Sequence, residues 1–391
     1  SKNKYTASAP ERPDPVARTV SANAKRRDAI TDYWTNQSYF TMDFVTGGFE
    51  HTLVTGIELS REEIVNRQRA FTECATLPCT GTAANPILDL DNPDNGIPFG
   101  KDTEVTSRPE ITTETAALFA VDTIKLSPKW QATIGLRADN YSAEATNIAG
   151  RSGPEPDRGA DSQFLNWNAG LVYKPAPNAS IYGSVSSAKN PPCEQLDAFA
   201  LDYGGCDERV TALDPVDNVS YEIGAKYNVG GHFDLTGALF LIERDGVPIS
   251  MGRGASATIG TQKQEVSGFE IGVAGNLTER LSLVGGVTVF DTEVTESSNP
   301  AEVGEMFPNV SEESFTLTGR YQLTDAIYVG STASYASEKF GGTTTAGSTF
   351  LPDYWRVDFF GAVRLTERVE LSFNVLNATD ELYYDAIYRS G

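Results

Sequence analysis

Through most of this 391-residue chain, apolar and polar side chains alternate one for one, in runs joined by connections of two very different lengths. Trp130, Ala132, Ile134, Leu136 and Ala138 fall on one face of a strand, and Gln131, Thr133, Gly135, Arg137 and Asp139 on the other, because successive strand side chains point oppositely. The same split recurs over Val219–Val229, Ser314–Leu323, Trp355–Leu365 and Val369–Val375. Connections such as Gly47-Gly48-Phe49, Ser127-Pro128-Lys129, Gly230-Gly231-His232 and Thr366-Glu367-Arg368 are tight turns. Between them run long polar segments, at 64–111, 146–163, 189–217, 249–261, 295–312, 340–353 and 381–391.

A sheet with short turns along one rim and long loops along the other has the topology of an outer-membrane barrel, its long loops extracellular. A soluble sandwich does not segregate its loop lengths in this way. The reading is therefore an all-β fold, a transmembrane antiparallel β-barrel. No stretch approaches the roughly 20 consecutive apolar residues of a membrane-spanning helix, and mean hydropathy is only -0.29. Charged residues on the polar wall, such as Arg320, Asp358 and Glu370, suit a watery or plugged lumen and would be costly in lipid.

The formal charge of -22 argues against nucleic-acid binding, which needs a basic face. Four cysteines form two local pairs, Cys74 with Cys79 and Cys193 with Cys206; three connectivities exist and close spacing favours these two. With only His51 and His232, a Cys/His zinc site lacks ligands, and disulfides bracing extracellular loops are the expectation. Asp89–Gly96 resembles a calcium loop in composition, but Asp94 and Gly100 stand where that pattern needs glycine and glutamate. No cofactor is implied, and no nucleophile elbow, zinc-protease helix or phosphate loop points to an enzyme.

The alternation gives about fourteen strands between Trp34 and Asp380, the first descending and the last ascending, within a single domain spanning 1–391. Strands with that polarity cannot close on each other, and lipid forbids open edges. Further strands are therefore expected outside this sequence.

Ordered motifs add a family resemblance. Phe49–Glu62, which reads Phe-Glu-His-Thr-Leu-Val-Thr-Gly-Ile-Glu-Leu-Ser-Arg-Glu, resembles a strand of TonB-dependent siderophore receptors. So do Leu213-Asp214-Pro215-Val216 with Ser220–Lys226, Phe307-Pro308-Asn309-Val310, Leu351-Pro352-Asp353-Tyr354 and Phe373–Tyr384. The resemblance implies a barrel of about 22 strands, of which the amino-terminal plug, the early strands and the last strand lie outside this sequence. It implies bacterial outer-membrane localisation, uptake of a ferric siderophore of catecholate type, and energising by TonB–ExbB–ExbD through the plug. Another cargo (cobalamin, another metal chelate, a glycan) and a passive porin are the alternatives.

A ferric catecholate is bulky, anionic and aromatic, and calls for cations and flat apolar faces. Residues 1–30, expected as a cationic extracellular loop, supply Lys25, Arg26 and Arg27; a second cluster holds Arg61, Arg67, Arg69 and Phe71. Two readings stand open for these cations: contact with ligand, or solvated groups that bridge lipopolysaccharide phosphates. Arg137, Asp139, Arg320, Arg356, Asp358 and Arg364 are expected in the lumen, facing plug or water. Tyr354 and Trp355 are expected in an interfacial aromatic belt.

Overall fold

The computed structural model describes residues 2–14, 16–71, 81–82, 85–89, 91, 102–146, 149–150, 153–154, 156–193, 206, 209–251, 258–344 and 347–386. One antiparallel sheet of 17 strands dominates it. Two of these, Gly81–Thr82 and Asn85–Asp89, form a small flap on the start of the second strand. The remainder follow one another in chain order: β1 (Lys2–Asp14), β2 (Thr19–Thr46), β3 (Phe49–Asn66), β4 (Glu110–Lys125), β5 (Trp130–Thr146), β6 (Arg158–Ala176), β7 (Ala179–Asn190) and β8 (Val216–Val229). Then come β9 (Phe233–Met251), β10 (Thr258–Asn276), β11 (Leu281–Ser297), β12 (Glu313–Thr324), β13 (Ile327–Ala336), β14 (Tyr354–Thr366) and β15 (Val369–Val375). Among the described residues no helix is long and apolar enough to cross a membrane; the crossings are made by strands.

Strands β2 to β15 are the ones read from alternation. The first thirty residues differ from expectation: they are a hairpin, not a loop. β1 pairs with the upper part of β2, Lys2 opposite Ile30 through Asp14 opposite Thr19. β2 then continues downward for 28 residues in all, roughly 90 Å at strand rise, far beyond the 9–11 residues a bilayer needs. Charged residues hid this strand, because above the membrane neither face must be apolar. Several other long connections also carry short hairpins, at Gln68–Phe71 with Asp102–Ser107 and at Lys339–Thr344 with Gly347–Leu351.

The tight rim is set by local chemistry. Gly47 and Gly48 have φ of 58° and 87°, and Gly230 and Gly231 have 62° and 81°. Two successive positive φ values define the hairpin turn whose twist matches the strands it joins, and glycine adopts them without steric cost.

The outer face is apolar and uncovered by protein. Leu118, Leu239 and Leu371 are each about three-fifths exposed (63%, 59% and 62%). Such a continuous apolar band is stable only against lipid. On the lumen side, aromatic rings lie across glycines of neighbouring strands: Tyr182 over Gly224, Phe119 over Gly56 and Phe290 beside Gly268. The sheet is open among the described residues, with Thr31–Thr46 of β2 paired on one side to β3 and β15 paired only to β14.

A side chain at Gly268 would put its Cβ 2.3 Å from the Val289 carbonyl oxygen and 2.6 Å from the Phe290 Cα. Backbone atoms cannot yield there, so Gly268→Ala should destabilise the wall by about 1–3 kcal/mol. The folded fraction against urea, read by heat-modifiable gel mobility, checks this.

Candidate functional site

The lumen wall is polar and largely self-paired. Arg137 lies between Glu58 at 3.0 Å and Asp139 at 2.8 Å, and Asn166 donates to the second Asp139 oxygen at 3.4 Å. Arg320 lies over the Tyr328 ring at 4.1 Å and donates to Gln322. Arg356 pairs with Asp358 at 3.2 Å, and Asp358 accepts the Asn377 N–H at 2.7 Å. Arg364 stands opposite Glu370 in the β14–β15 register. The Tyr182 hydroxyl donates to Glu222 at 2.5 Å, with Lys226 5.6 Å from the Tyr182 ring centre. Arg137 and Arg356 are thus paired with carboxylates within the wall itself, whereas Arg320 is held by a ring and an amide.

At the long-loop end, the connection after β7 folds inward against the wall. Cys193 and Cys206 are joined by a disulfide and pack with Ile111, Tyr141, Ala143, Ala145 and Ala160, with Phe164 at the edge. Tyr141 donates its hydroxyl to the Cys193 carbonyl at 3.4 Å, and Arg158 donates to the Cys206 carbonyl at 3.3 Å. Those wall residues come from β4, β5 and β6, so one loop is fastened to three strands by an apolar core. Tyr141, Ala143 and Ala145 continue the inward face that Arg137 and Asp139 begin in β5. Cys74 and Cys79 lie outside the described residues.

A second feature of the mouth joins aromatic rings to cations. Tyr354, the first residue of β14, stacks on Tyr383 with ring centres 4.6 Å apart. Lys339 lies 5.9 Å from the Tyr354 ring and Arg356 6.0 Å from that of Tyr383. Tyr354 donates to the Asp385 carboxylate at 2.8 Å and Lys339 to its main-chain oxygen at 2.6 Å. Trp355 points the other way, into an outward cluster with Tyr335 at 4.9 Å and Phe315 at 5.9 Å. The adjacent pair Tyr354 and Trp355 is thus divided between mouth and membrane belt. Sequence reading missed Tyr383 and Lys339, because neither lies within a strand that alternates.

The cations singled out in sequence lie on β2, on or just after β3, and in a short hairpin of the connection that follows. Lys25, Arg26 and Arg27 lie in β2, opposite Ala7, Thr6 and Tyr5 of β1; their side chains, like those of Arg69 and Phe71, are outside the described set. Arg69 and Phe71 stand opposite Val105 and Asp102 in a short hairpin. Arg61 is on the outer face, paired with Glu114 at 2.7 Å and Glu63 at 3.5 Å. Arg67 pairs with buried Asp28. At the β1–β2 tip, Arg18 is bonded to Asp91, and that bond holds the Asp91 carboxyl below the usual carboxylate range.

Fold, sidedness and lumen chemistry together describe an outer-membrane receptor barrel. Residues 2–378 match the family "TonB dependent receptor-like, beta-barrel", and the chain belongs to that family. It is 30% identical over 390 residues to the "Probable TonB-dependent receptor BfrD" of Bordetella pertussis, covering 95% of this chain and 52% of that protein. With the "Catecholate siderophore receptor Fiu" of Escherichia coli K12 it shares 29% identity, over 95% of this chain and 50% of that protein. The chain thus spans about half the length of these curated relatives. The crystal structure of the ferric-catecholate import receptor Fiu in its closed form superposes with a TM-score of 0.83 at 27% identity, over 100% of this chain and 57% of that one.

Two outcomes follow. Replacing Cys193 and Cys206 together by serine should remove about 3 kcal/mol of loop constraint; limited proteolysis should then cut within 194–205 while the strands stay intact. For the tip, the lowered Asp91 carboxyl means that the bond to Arg18 holds above the ordinary carboxylate range. It is lost as pH falls through the lowered value. Hydrogen exchange at Arg18 and Thr19, corrected for intrinsic rate, should therefore quicken as pH falls below the ordinary carboxylate range, with no such step in Asp91→Asn.

Proposed function

We propose that this chain is the barrel of a TonB-dependent transporter that imports a ferric siderophore, of catecholate type, across the outer membrane. The observation that carries the reading is the mouth cluster of Lys339, Tyr354, Arg356 and Tyr383 on a wall that belongs to the receptor family. A ferric catecholate is anionic and presents flat aromatic rings. Stacked tyrosines offer ring faces, and the ammonium and guanidinium offer charge complementarity. Fiu, described as a catecholate siderophore receptor, is among the relatives.

The two sheet edges that stand unpaired among the described residues bear on the rest of the machine. In hydrocarbon each unsatisfied backbone group costs several kcal/mol, so the working barrel is closed by strands contributed from outside this sequence. A plug in the lumen, reached by TonB–ExbB–ExbD, completes the reading. Arg320 and Arg364 are the lumen cations we assign to it.

The test is binding and uptake by the full-length receptor with ferric catecholate, ferric hydroxamate and cobalamin panels, with and without TonB. Ferric catecholate should bind and enter only with TonB. Tyr383→Ala and Lys339→Ala should each weaken its binding about tenfold, which corresponds to roughly 1.4 kcal/mol. Joint replacement of Lys25, Arg26 and Arg27 by alanine decides between ligand contact and a solvated role. Catecholate-independent binding, or uptake without TonB, would overturn the reading.

A further inference from the structure

In the mouth cluster the chain occupies its own site. Three of the groups there meet one short segment, Tyr383–Asp385, which follows β15. The Tyr383 ring covers that of Tyr354 with centres 4.6 Å apart. The Tyr354 hydroxyl donates to the Asp385 carboxylate at 2.8 Å, and the Lys339 ammonium donates to the Asp385 main-chain oxygen at 2.6 Å. One segment thus brings a ring and a carboxylate to the cluster, the two features of an aromatic anion.

This segment is fixed at its base and lightly held at its end. Ala378 donates to the Val357 carbonyl and Asn377 to the Asp358 carboxylate, each at 2.7 Å. Asn377 then closes a turn, accepting from the Glu381 N–H at 3.1 Å and donating to the Glu381 carbonyl at 2.9 Å. Asn377 and Asp380 both stand in the left-handed region, at φ of 48° and 53°, which their short polar side chains tolerate. Beyond Glu381 the described hydrogen bonds are the two at Asp385 and one from Arg356 to the Tyr383 hydroxyl at 3.4 Å. Leu382, Tyr384 and Asp385 are exposed.

The contacts at the end of the segment are also mismatched in charge. Lys339 makes no ion pair among the described residues, and its ammonium meets a neutral carbonyl. The Asp385 carboxylate meets a neutral hydroxyl. An entering anion gives the ammonium an opposite charge, which the carbonyl does not, while Asp385, already in water, loses little by leaving. The rings need the same movement, because a third ring fits only between faces roughly 7 Å apart.

We infer that Tyr383–Asp385 is a strap that closes the site in the resting receptor and lifts when cargo arrives. An anionic oxygen of the cargo takes the place of Asp385 on Tyr354 and Lys339, and its ring enters between Tyr354 and Tyr383. Tyr383 then forms the second wall of the site, whereas Asp385 is only a placeholder. The strap rests on the proposed cargo for the nature of the ligand.

Hydrogen exchange and binding in the full-length receptor test it, with ferric 2,3-dihydroxybenzoate and with iron-free benzoate, which carries only ring and carboxylate. Either probe at saturation should speed exchange at Tyr383–Asp385 about fivefold and leave Asn377–Glu381 as it was. Asp385→Ala should tighten both probes about fivefold, as loss of one competing hydrogen bond predicts. The same substitution should change nothing once Tyr354→Phe has removed the donor. Heat-modifiable mobility confirms that each variant folds. Benzoate binding without ferric catecholate binding would sink the cargo and leave the strap standing. Failure of benzoate to bind, unchanged exchange in its presence, or an affinity that Asp385→Ala leaves equal or weaker would refute the strap.

Discussion

The structure depends on the cross-strand backbone ladder. In hydrocarbon there is no water to satisfy an amide or a carbonyl, so each such group must find its partner in the next strand. That requirement explains why consecutive strands are always neighbours here, from β1 against β2 to β14 against β15. It also explains why the registers run with few irregularities; β3 against β4, for example, pairs from Glu50 with Lys125 to Val65 with Glu110 without a shift. A slip of one residue would turn every lipid-facing leucine into the lumen and every lumen charge into lipid. The hydrophobic pattern and the ladder therefore fix each other.

Once the ladder is set, the two faces solve different problems. The outer face needs only apolar bulk, supplied by residues such as Ile134, Leu239 and Phe359. The lumen must keep charges satisfied and leave room. It does so with short-range pairs, Arg137 with Glu58 and Asp139 and Arg356 with Asp358, and with rings laid over glycines, as Tyr182 lies over Gly224. A glycine beneath a ring lets the side chain lie flat along the wall instead of projecting across the lumen. The wall thus stays thin where something else must pass or sit.

Alternation and turn length made the walls legible from β2 to β15, because each strand there separates lipid from lumen. The same logic failed for β1 and for the upper half of β2, which run above the apolar band, where neither face must be apolar, so that Lys25, Arg26 and Arg27 read as a loop. The site was less legible than the fold. Arg61 and Arg67 looked like free cations in sequence, but Glu114 and Asp28, distant along the chain, turn out to be their partners. Tyr383 stood out only as part of a family motif and Lys339 not at all, because their proximity to Tyr354 is created by chain segments that leave the sheet. Periodicity reports which face a residue occupies; it does not report which loop returns to meet it.

The acidity of the chain acquires a location that the bare charge of -22 does not give. By register, Glu63, Glu114, Glu144 and Asp161 on one flank, and Glu243, Glu265 and Glu293 on another, lie on the outer face above the apolar band. Water and ions screen charges there within roughly 8 Å, so these carboxylates project little field into the mouth. Inside the mouth, Lys339 and Arg356 stand beside aromatic rings at 5.9 and 6.0 Å. Inside the mouth charge is paired: Tyr354 donates to Asp385 and Arg356 pairs with Asp358, while the outer carboxylates stay above the apolar band. Anchoring by the Cys193–Cys206 core keeps one loop fixed to β4, β5 and β6, whereas the Tyr354–Tyr383 stack ties the chain after β15 back to the start of β14.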